Sequence, residues 1–381
     1  MDAEAIKEFG SKVQMLIEGR SLTRQETYEM FREVLLNRQP DLQQGAFLAA
    51  LVAKGETAEE IAGAWEAIDE IDTVHTSPAL TGDLFENSGT GMDRLKTFNV
   101  SSAAAIVAAS CGVKMARHGA RALTSRCGTV DILEAIGVPV ECDVSVVEKS
   151  IKEAGIGLFN GMSPKVHPGA LGRILSQIRF GSTLNIAASL ANPARPVYGL
   201  RGVYHERLLK IAGKVMRNIG YVRGMVVHGK DETSGLGMDE ISPCGETVVH
   251  EFAGSECRDF VIRPEDLGIK KIPFEQITFT GSLEAEAARF LQVLSGKGHH
   301  GCVDFTCLNA GAILYVSGKC DTLADGIEIS RDSIGSGKAL ARLRQWVALQ
   351  DSGNGEGIKR LEAKLEDVSE LSASGKGTIQ G

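Results

Sequence analysis

Apolar residues in the first seventy positions recur at helical spacing. Val13, Leu16 and Ile17 stand at i, i+3 and i+4, and Phe31, Val34 and Leu35 repeat the pattern. Gly19 and the stretch from Asn37 to Pro40 punctuate these stripes. Ala46 to Ala53 reads as a short apolar helix ended by Gly55, and Thr57 followed by Glu60 is a capping-box arrangement that starts another. An all-helical N-terminal block is therefore expected. After Thr73 glycine becomes frequent and helical stretches alternate with short β-like runs, the texture of an α/β domain. Ala103 to Ala109 is a helix of small residues ended by Gly112, and Val113 to Ala116 is short enough for a buried strand. Val130 to Ile136 forms the next helix, stopped by Gly137, and Val138 to Val140 reads as another strand. Farther on, Gly224 to His228 reads as a buried strand and Thr247 to Phe252 as a strand with polar alternation. Helical segments around Leu283 to Leu294 and Ala310 to Val316 follow. From Gln345 the chain is charged and rich in glycine and serine, which predicts a helix followed by a frayed end. No internal repeat is evident.

Composition adds limits to this picture. A chain of 381 residues that is 43% hydrophobic can build one large or two moderate domains without a metal or disulfide staple. The net charge of −8, from 49 acidic and 41 basic residues, excludes a uniformly basic surface of the kind that neutralises nucleic-acid phosphates, while leaving room for a local basic patch. The 8 cysteines include no Cys-x-x-Cys pair and read as reduced residues, mostly core fillers. The chain opens on acidic and polar residues, and no apolar run reaches the ~18 residues of a membrane span. A cytoplasmic protein, neither exported nor inserted in a membrane, is expected.

Three segments carry candidate chemistry. Gly89-Thr90-Gly91-Met92-Asp93 is followed by Asn99, Ser101 and Ser102 at the start of the small-residue helix. Glycines let the backbone approach phosphate oxygens, and a helix start offers unpaired N–H groups at the positive end of its dipole. A Gly-Thr-Gly turn alone is equally a plain tight turn; its pairing with the Asn-x-Ser-Ser start favours a phosphate site. The second segment runs from Arg117 to Asp131. Its three arginines, its histidine and its hydroxyls suit a polyanion, the alternative being a solvated basic loop. Within it, His118 is equally a core histidine, and Asp131 a helix-start charge. The third is Asp239-Glu240 behind Gly235 and Gly237. Adjacent carboxylates on such a loop suit a Mg²⁺ that keeps several waters and shares a pyrophosphate, although an isolated pair is usually a surface turn.

These segments occur in an order that resembles the anthranilate phosphoribosyltransferase family over nearly the whole chain. The resemblance includes Leu51 to Gly63 in the helical block and Leu308 to Leu340 near the end. It implies an α/β fold with a smaller all-helical domain, a central mixed sheet flanked by helices, and homodimers paired through the helical domains. The helical domain would comprise residues 1–75, completed by helices from about 165–195, and the α/β domain residues 76–381.

The resemblance further implies Mg²⁺-dependent transfer of phosphoribosyl from 5-phosphoribosyl 1-pyrophosphate (PRPP) to a small aromatic acceptor. Carried over by position, Gly89, Thr90, Gly91 and Asp93 would hold the pyrophosphate end. Asn99, Ser101 and Ser102 would contact phosphates and Mg²⁺, and Ser125, Gly128 and Thr129 lie in the family's flexible phosphate loop. Asp239 and Glu240 match the acidic pair that coordinates the second Mg²⁺, and Ser101 joins them as a metal ligand. Arg117 stands where the family has lysine and would act on the phosphates, so Arg117, Asp239 and Glu240 are the expected catalytic residues. Met92 replaces a glycine.

The acceptor half departs more. Expected there are His118, Ala120, His167, Arg173, Arg179 and Ser189, but Ala120 replaces an asparagine and Leu175 falls where the family has the arginine that pairs with the acceptor's carboxylate. Arg173 or Arg179 would have to substitute from a neighbouring turn. Ala188-Ser189-Leu190 replaces Gly-Pro-Leu, although Asn192-Pro193 survives. Loss of an arginine from a buried carboxylate site costs about 2–5 kcal/mol, so anthranilate or a related aromatic compound is the expected acceptor.

In the implied chemistry the donor's C1–O bond breaks as the acceptor nitrogen attacks, and the protein neutralises the departing pyrophosphate and positions the nucleophile. A nucleoside phosphorylase is the next enzyme reading, separable by dependence on phosphate. A nucleic-acid-binding homologue without activity would have a continuous basic groove and lack the metal pair. The net acidity and Asp239-Glu240 argue against it.

Overall fold

The computed structural model describes residues 3–80, 82–91, 95–121, 127–178, 180–351 and 355–373. Four helices open the chain: α1 (Ala3–Ile17), α2 (Arg24–Leu35), α3 (Asp41–Lys54) and α4 (Ala58–Ile71). Then follow β1 (Leu84–Gly89), α5 (Val100–Ser110), β2 (Lys114–Gly119), α6 (Thr129–Ala135), α7 (Val144–Ala154), β3 (Ile156–Asn160), α8 (Leu171–Gln177) and α9 (Leu184–Leu190). Next come β4 (Tyr198–Gly202), α10 (Leu209–Asn218), β5 (Arg223–Lys230), β6 (Gly237–Met238), β7 (Thr247–Ala253) and β8 (Glu256–Ile262). The last helices are α11 (Leu283–Leu294), α12 (His300–Val316), α13 (Leu323–Gly335), α14 (Lys338–Gln350) and α15 (Glu356–Ala373). No helix among the described residues is long and apolar enough to cross a membrane.

Capping chemistry fixes the helical block. Thr23 with Glu26 opens α2 and Thr57 with Glu60 opens α4, each a reciprocal capping box. Glu60 does more than cap. Fully buried, it also accepts from Leu22 N at 2.9 Å and Lys54 Nζ at 2.8 Å, tying the α2 entry and the α3 end to α4. Phe31 and Phe47 meet edge to face with ring centroids 5.2 Å apart inside the bundle. Helices α8 and α9, distant in sequence, complete it: Leu171, Ile174, Leu184, Ile186 and Leu190 share its core, and Trp65 Nε1 donates to Leu190 O at 2.9 Å. The Asp72 carboxylate, at the exit of α4, accepts from Gly169 N, Ala170 N and Leu171 N and so starts α8.

The sheet runs in the order β3-β2-β1-β4-β5-β7-β8, with β6 against β5. The first five strands of that order are parallel, and β7 and β8 are antiparallel. One face carries the alanine-rich α5 with α12 packed behind it. The other is covered by α7 toward β3 and by α10 with the helical block toward β5. Successive residues of each parallel strand thus look alternately at α5 and at the helical block.

One expectation is corrected here. Val138 to Val140 forms no strand. Val138 N instead closes the end of α6 on Leu133 O, and Pro139 lacks the N–H a ladder requires, while its carbonyl accepts from Gln350 Nε2. The helix expected in the charged tail is α15, whose Leu361, Leu365 and Val368 form an apolar stripe that joins the main core, and the end beyond it lies outside the described residues.

Candidate active site

Three backbone segments converge beyond the carboxyl ends of β1, β2 and β4, where ligands of open α/β sheets collect. Gly89 ends β1 opposite Gly202, the end of β4. Both must be glycine for a steric reason. A Cβ on Gly89 would lie 2.2 Å from Asp239 Oδ2, and one on Gly202 would lie 1.6 Å from the Asp239 carbonyl oxygen. The space left lets Asp239 settle on the turn, where its Oδ2 accepts from Gly91 N at 2.7 Å. Thr90 is buried beside it, its hydroxyl accepting from Tyr204 N.

Glu240 faces the start of α5 and accepts from Ser101 Oγ at 2.5 Å. The acidic loop is itself anchored: Asn309 on α12 receives Ile241 N at 3.0 Å and donates to Ile241 O at 3.1 Å. Asn99 Oδ1, at the N-cap of α5, is buried and has no hydrogen-bond partner. Asp239, Glu240, Ser101 Oγ and Asn99 Oδ1 are an all-oxygen donor set, which suits a hard cation such as Mg²⁺. No group of three metal-ligating acidic, histidine or cysteine side chains occurs among the described residues, so a cation here has to take further oxygens from water or a bound polyanion.

Arg117 departs from its expected place. It is 1% exposed, and its guanidinium donates to Asn87 Oδ1 at 2.8 Å, Ser101 O at 2.7 Å and Ser102 Oγ at 3.3 Å. Burial pushes its pKa down to about 10, against the neighbouring carboxylates of Glu240 and Glu86. In this position it holds the α5 turn from beneath and supplies positive field, rather than gripping a phosphate. Gly128 and Thr129 stand at the start of α6, where Gly128 N is capped by Asp131. Arg121 is engaged by Asp131 and Glu134 and is not a free phosphate ligand. Asp93, Ser125 and Arg179 lie outside the described residues.

On the opposite face of β2, His118 Nε2 meets His167 Nε2 at 3.1 Å, and His167 Nδ1 meets Asp72 O at 2.6 Å. A carbonyl can only accept, so His167 carries its proton on Nδ1, and His118 donates from Nε2. His118 Nδ1 is buried and makes no hydrogen bond. Burial lowers the His118 pKa to about 3, with His167 adding to the effect and the Ser189 carbonyl opposing it, so His118 is neutral. Ala120 lies exposed at the rim. Ser189, on α9, donates back to Asn185 O at 2.6 Å.

Arg173 does not turn toward this group. Its guanidinium donates to Val34 O at 2.6 Å and Gln44 Oε1 at 3.3 Å, so it is spent inside the helical block. A different arginine does: Arg201 of β4, 2% exposed, bonds Ser88 Oγ at 2.6 Å and Ser189 Oγ. Sequence reasoning passed over it. The available signal was a charge inside the otherwise uncharged run from Tyr198 to Val203.

Known proteins resemble this chain in sequence and in fold. Residues 81–340 match the model of the glycosyl transferase family a/b domain, and residues 13–70 that of its helical bundle domain. An anthranilate phosphoribosyltransferase of Anaeromyxobacter dehalogenans is 38% identical over 337 residues, covering 87% of this chain and 96% of that protein. One from Persephonella marina is 34% identical, covering 90% and 98%. The crystal structure of anthranilate phosphoribosyltransferase from Thermus thermophilus superposes with a TM-score of 0.80 at 31% identity, over 89% of this chain and 99% of that one. The Saccharomyces cerevisiae enzyme in complex with PRPP and Mg shares the fold, with a TM-score of 0.79 at 24% identity over 91% and 98% of the two chains. The chain belongs to the anthranilate phosphoribosyltransferase family of glycosyl transferases, and is a phosphoribosyltransferase.

Proposed function

We propose that the protein transfers the phosphoribosyl group of PRPP to the amino nitrogen of anthranilate or a closely related aromatic amine, with Mg²⁺. The observation that carries this reading is the meeting of the Gly89 to Gly91 turn, the α5 start and Asp239-Glu240 in one all-oxygen cradle. Bound Mg²⁺ would neutralise pyrophosphate as it departs. The chain's own residues do the rest. Gly91, Thr90 and the α5 N-terminus receive the phosphates. Asp239, Glu240 and Ser101 hold the cation, and Arg117 fixes the α5 turn from below. His118, buried and neutral, lines the acceptor side and helps to position the attacking nitrogen.

Several apolar side chains stand exposed on the helical block, Ile17 at 64% and Leu42 at 89%, which supports pairing of two copies there. A cytoplasmic location fits the eight free cysteines.

The test is pyrophosphate release from PRPP and Mg²⁺ on addition of anthranilate, with phosphate replacing pyrophosphate as the control for phosphorolysis. Asp239→Asn with Glu240→Gln is expected to abolish turnover and leave the fold intact. Unchanged turnover in that double variant, or release that requires a nucleoside and phosphate, would refute the proposal.

A further inference from the structure

Arg201 is a buried cation without a counter-ion in contact. It forms no ion pair among the described residues, and its two bonds go to neutral hydroxyls. Its Nε is buried and has no hydrogen-bond partner. Glu86, two residues before Ser88 on β1, is the carboxylate that acts on Arg201 most, without forming an ion pair, and Asp239 acts on it more weakly. The Glu86 carboxyl is instead bonded by Tyr221 Oη at 2.9 Å and raised by burial to about 7. Glu86 and Asp239 compensate the desolvated guanidinium only from a distance, and no carboxylate among the described residues is in contact with it.

The geometry of the gap is specific. Nε and Nη2 share one edge of the guanidinium, the edge that grips a carboxylate through two parallel bonds. Here that edge carries the Ser189 hydroxyl on Nη2 and nothing on Nε. Ser189 in turn has its own donor directed at the carbonyls of Asn185 and Ile186, so as an acceptor it is neutral and replaceable. His118 lies in the same region, its ring beside the Ser189 backbone. An unfilled donor edge with positive charge matches a ligand that has a carboxylate.

We propose that Arg201, delivered from β4 beside Ser189, is the residue of this chain that binds the acceptor's carboxylate. The proposal rests on the transferase reading above, which it deepens by fixing the acceptor's charge. Position supports it: the residue after Arg201 is Gly202, which packs on the Asp239 backbone, so the anion site adjoins the cradle for the donor.

The experiment compares 2-aminobenzoate with 2-aminobenzamide, which keeps the amine and loses the charge, as acceptors in the presence of PRPP and Mg²⁺. Binding of benzoate and benzamide is measured separately by titration, without turnover. Wild type is expected to favour the acid in kcat/KM by about 30-fold or more, the lower end of what a desolvated charge pair contributes. Benzoate is expected to bind and compete with the acceptor while benzamide does not. In Arg201→Gln the preference should vanish, chiefly through the KM of the acid, and Arg201→Lys should restore part of it. If Arg201→Gln is too unstable to assay, Arg201→Lys and the benzoate titration of wild type still decide. An indifferent wild type, or an Arg201→Gln enzyme that keeps the preference for the acid, overturns the assignment. Absence of turnover with every acceptor refutes the transferase reading, and the benzoate titration then judges Arg201 alone, failure to bind benzoate counting against it.

Discussion

Asn309 offers a quantitative test of how the acidic loop is held. Its side chain accepts from Ile241 N and donates to Ile241 O and Phe305 O, all in the buried core. Asn309→Leu keeps most of the volume and removes every one of these bonds. Phe305 O lies within α12 and keeps its helical partner; the two Ile241 groups have no alternative. Each orphaned buried group costs roughly 1–3 kcal/mol, for a sum of roughly 2–6 kcal/mol, and the gain in helix propensity from Asn to Leu returns only about half a kcal/mol. Local relaxation of the loop favours the lower half of that range. A destabilisation of about 2–4 kcal/mol corresponds to a fall in Tm of about 4–10 °C for a domain of this size. Kinetics should suffer separately, because Asp239 and Glu240 precede Ile241 directly. A displacement of about 1 Å costs on the order of 10²-fold in rate, and the Mg²⁺ concentration for half-maximal activity should rise with it. The assay pairs urea unfolding with a Mg²⁺ titration of pyrophosphate release. Wild-type stability and wild-type Mg²⁺ dependence in Asn309→Leu would refute the idea that this amide anchors the loop.

Three shorter predictions follow from the same structure. Gly89→Ala places a methyl 2.2 Å from Asp239 Oδ2, so the aspartate must swing away; kcat/KM should fall by about 10²-fold with an unchanged circular dichroism spectrum. Glu86, raised from 4.5 to about 7, binds a proton in the folded state that the unfolded chain has already lost between those pH values. Stability therefore falls as pH rises through that window, by about 3 kcal/mol, and Glu86→Gln should remove this decline, read as the urea midpoint at the two ends of the window. Arg173→Ala forfeits the bonds to Val34 O and Gln44 Oε1 and should cost about 1–2 kcal/mol of stability while leaving the acceptor KM unchanged. A raised acceptor KM would return Arg173 to the site.

The donor side was legible in the sequence because its determinants are local. Gly89 to Gly91, Asn99 to Ser102 and Asp239-Glu240 are short contiguous strings whose residue types state their chemistry, and folding has only to bring three strings together. The capping box at Thr57 was equally local. The acceptor side was not. Arg201 acquires meaning only from Ser88 across β1, Ser189 on α9 and the absence of a contacting carboxylate, none of which spacing reveals. Arg173 misled for the converse reason: it stands near the expected position in the chain, but α8 turns it into the bundle. Tertiary placement also decided Arg117, whose charge reads as a phosphate ligand until its burial under the α5 turn is seen.

Strand alternation explains why one half of the site matches its family while the other has departed from it. On β1, Asn87 faces α5 and bonds Ser101 O, whereas Glu86 and Ser88 on either side face the helical block and meet Tyr221 and Arg201. On β2, Arg117 reaches the α5 start and its neighbour His118 reaches His167. The side-chain period of two thus puts the residues proposed for donor and acceptor on alternate faces of the same strands, and the two groups meet only at the strands' carboxyl ends. A substitution on the helical-block face need not move any atom that touches phosphate or metal. The site of an anion-binding side chain can then pass from one element to another, from a helix of the bundle to β4, while the donor cradle stays fixed. On this view the single charge of Arg201, delivered from the sheet to Ser189, compensates for Leu175 in α8, and the enzyme can keep an acid as its acceptor by a different route.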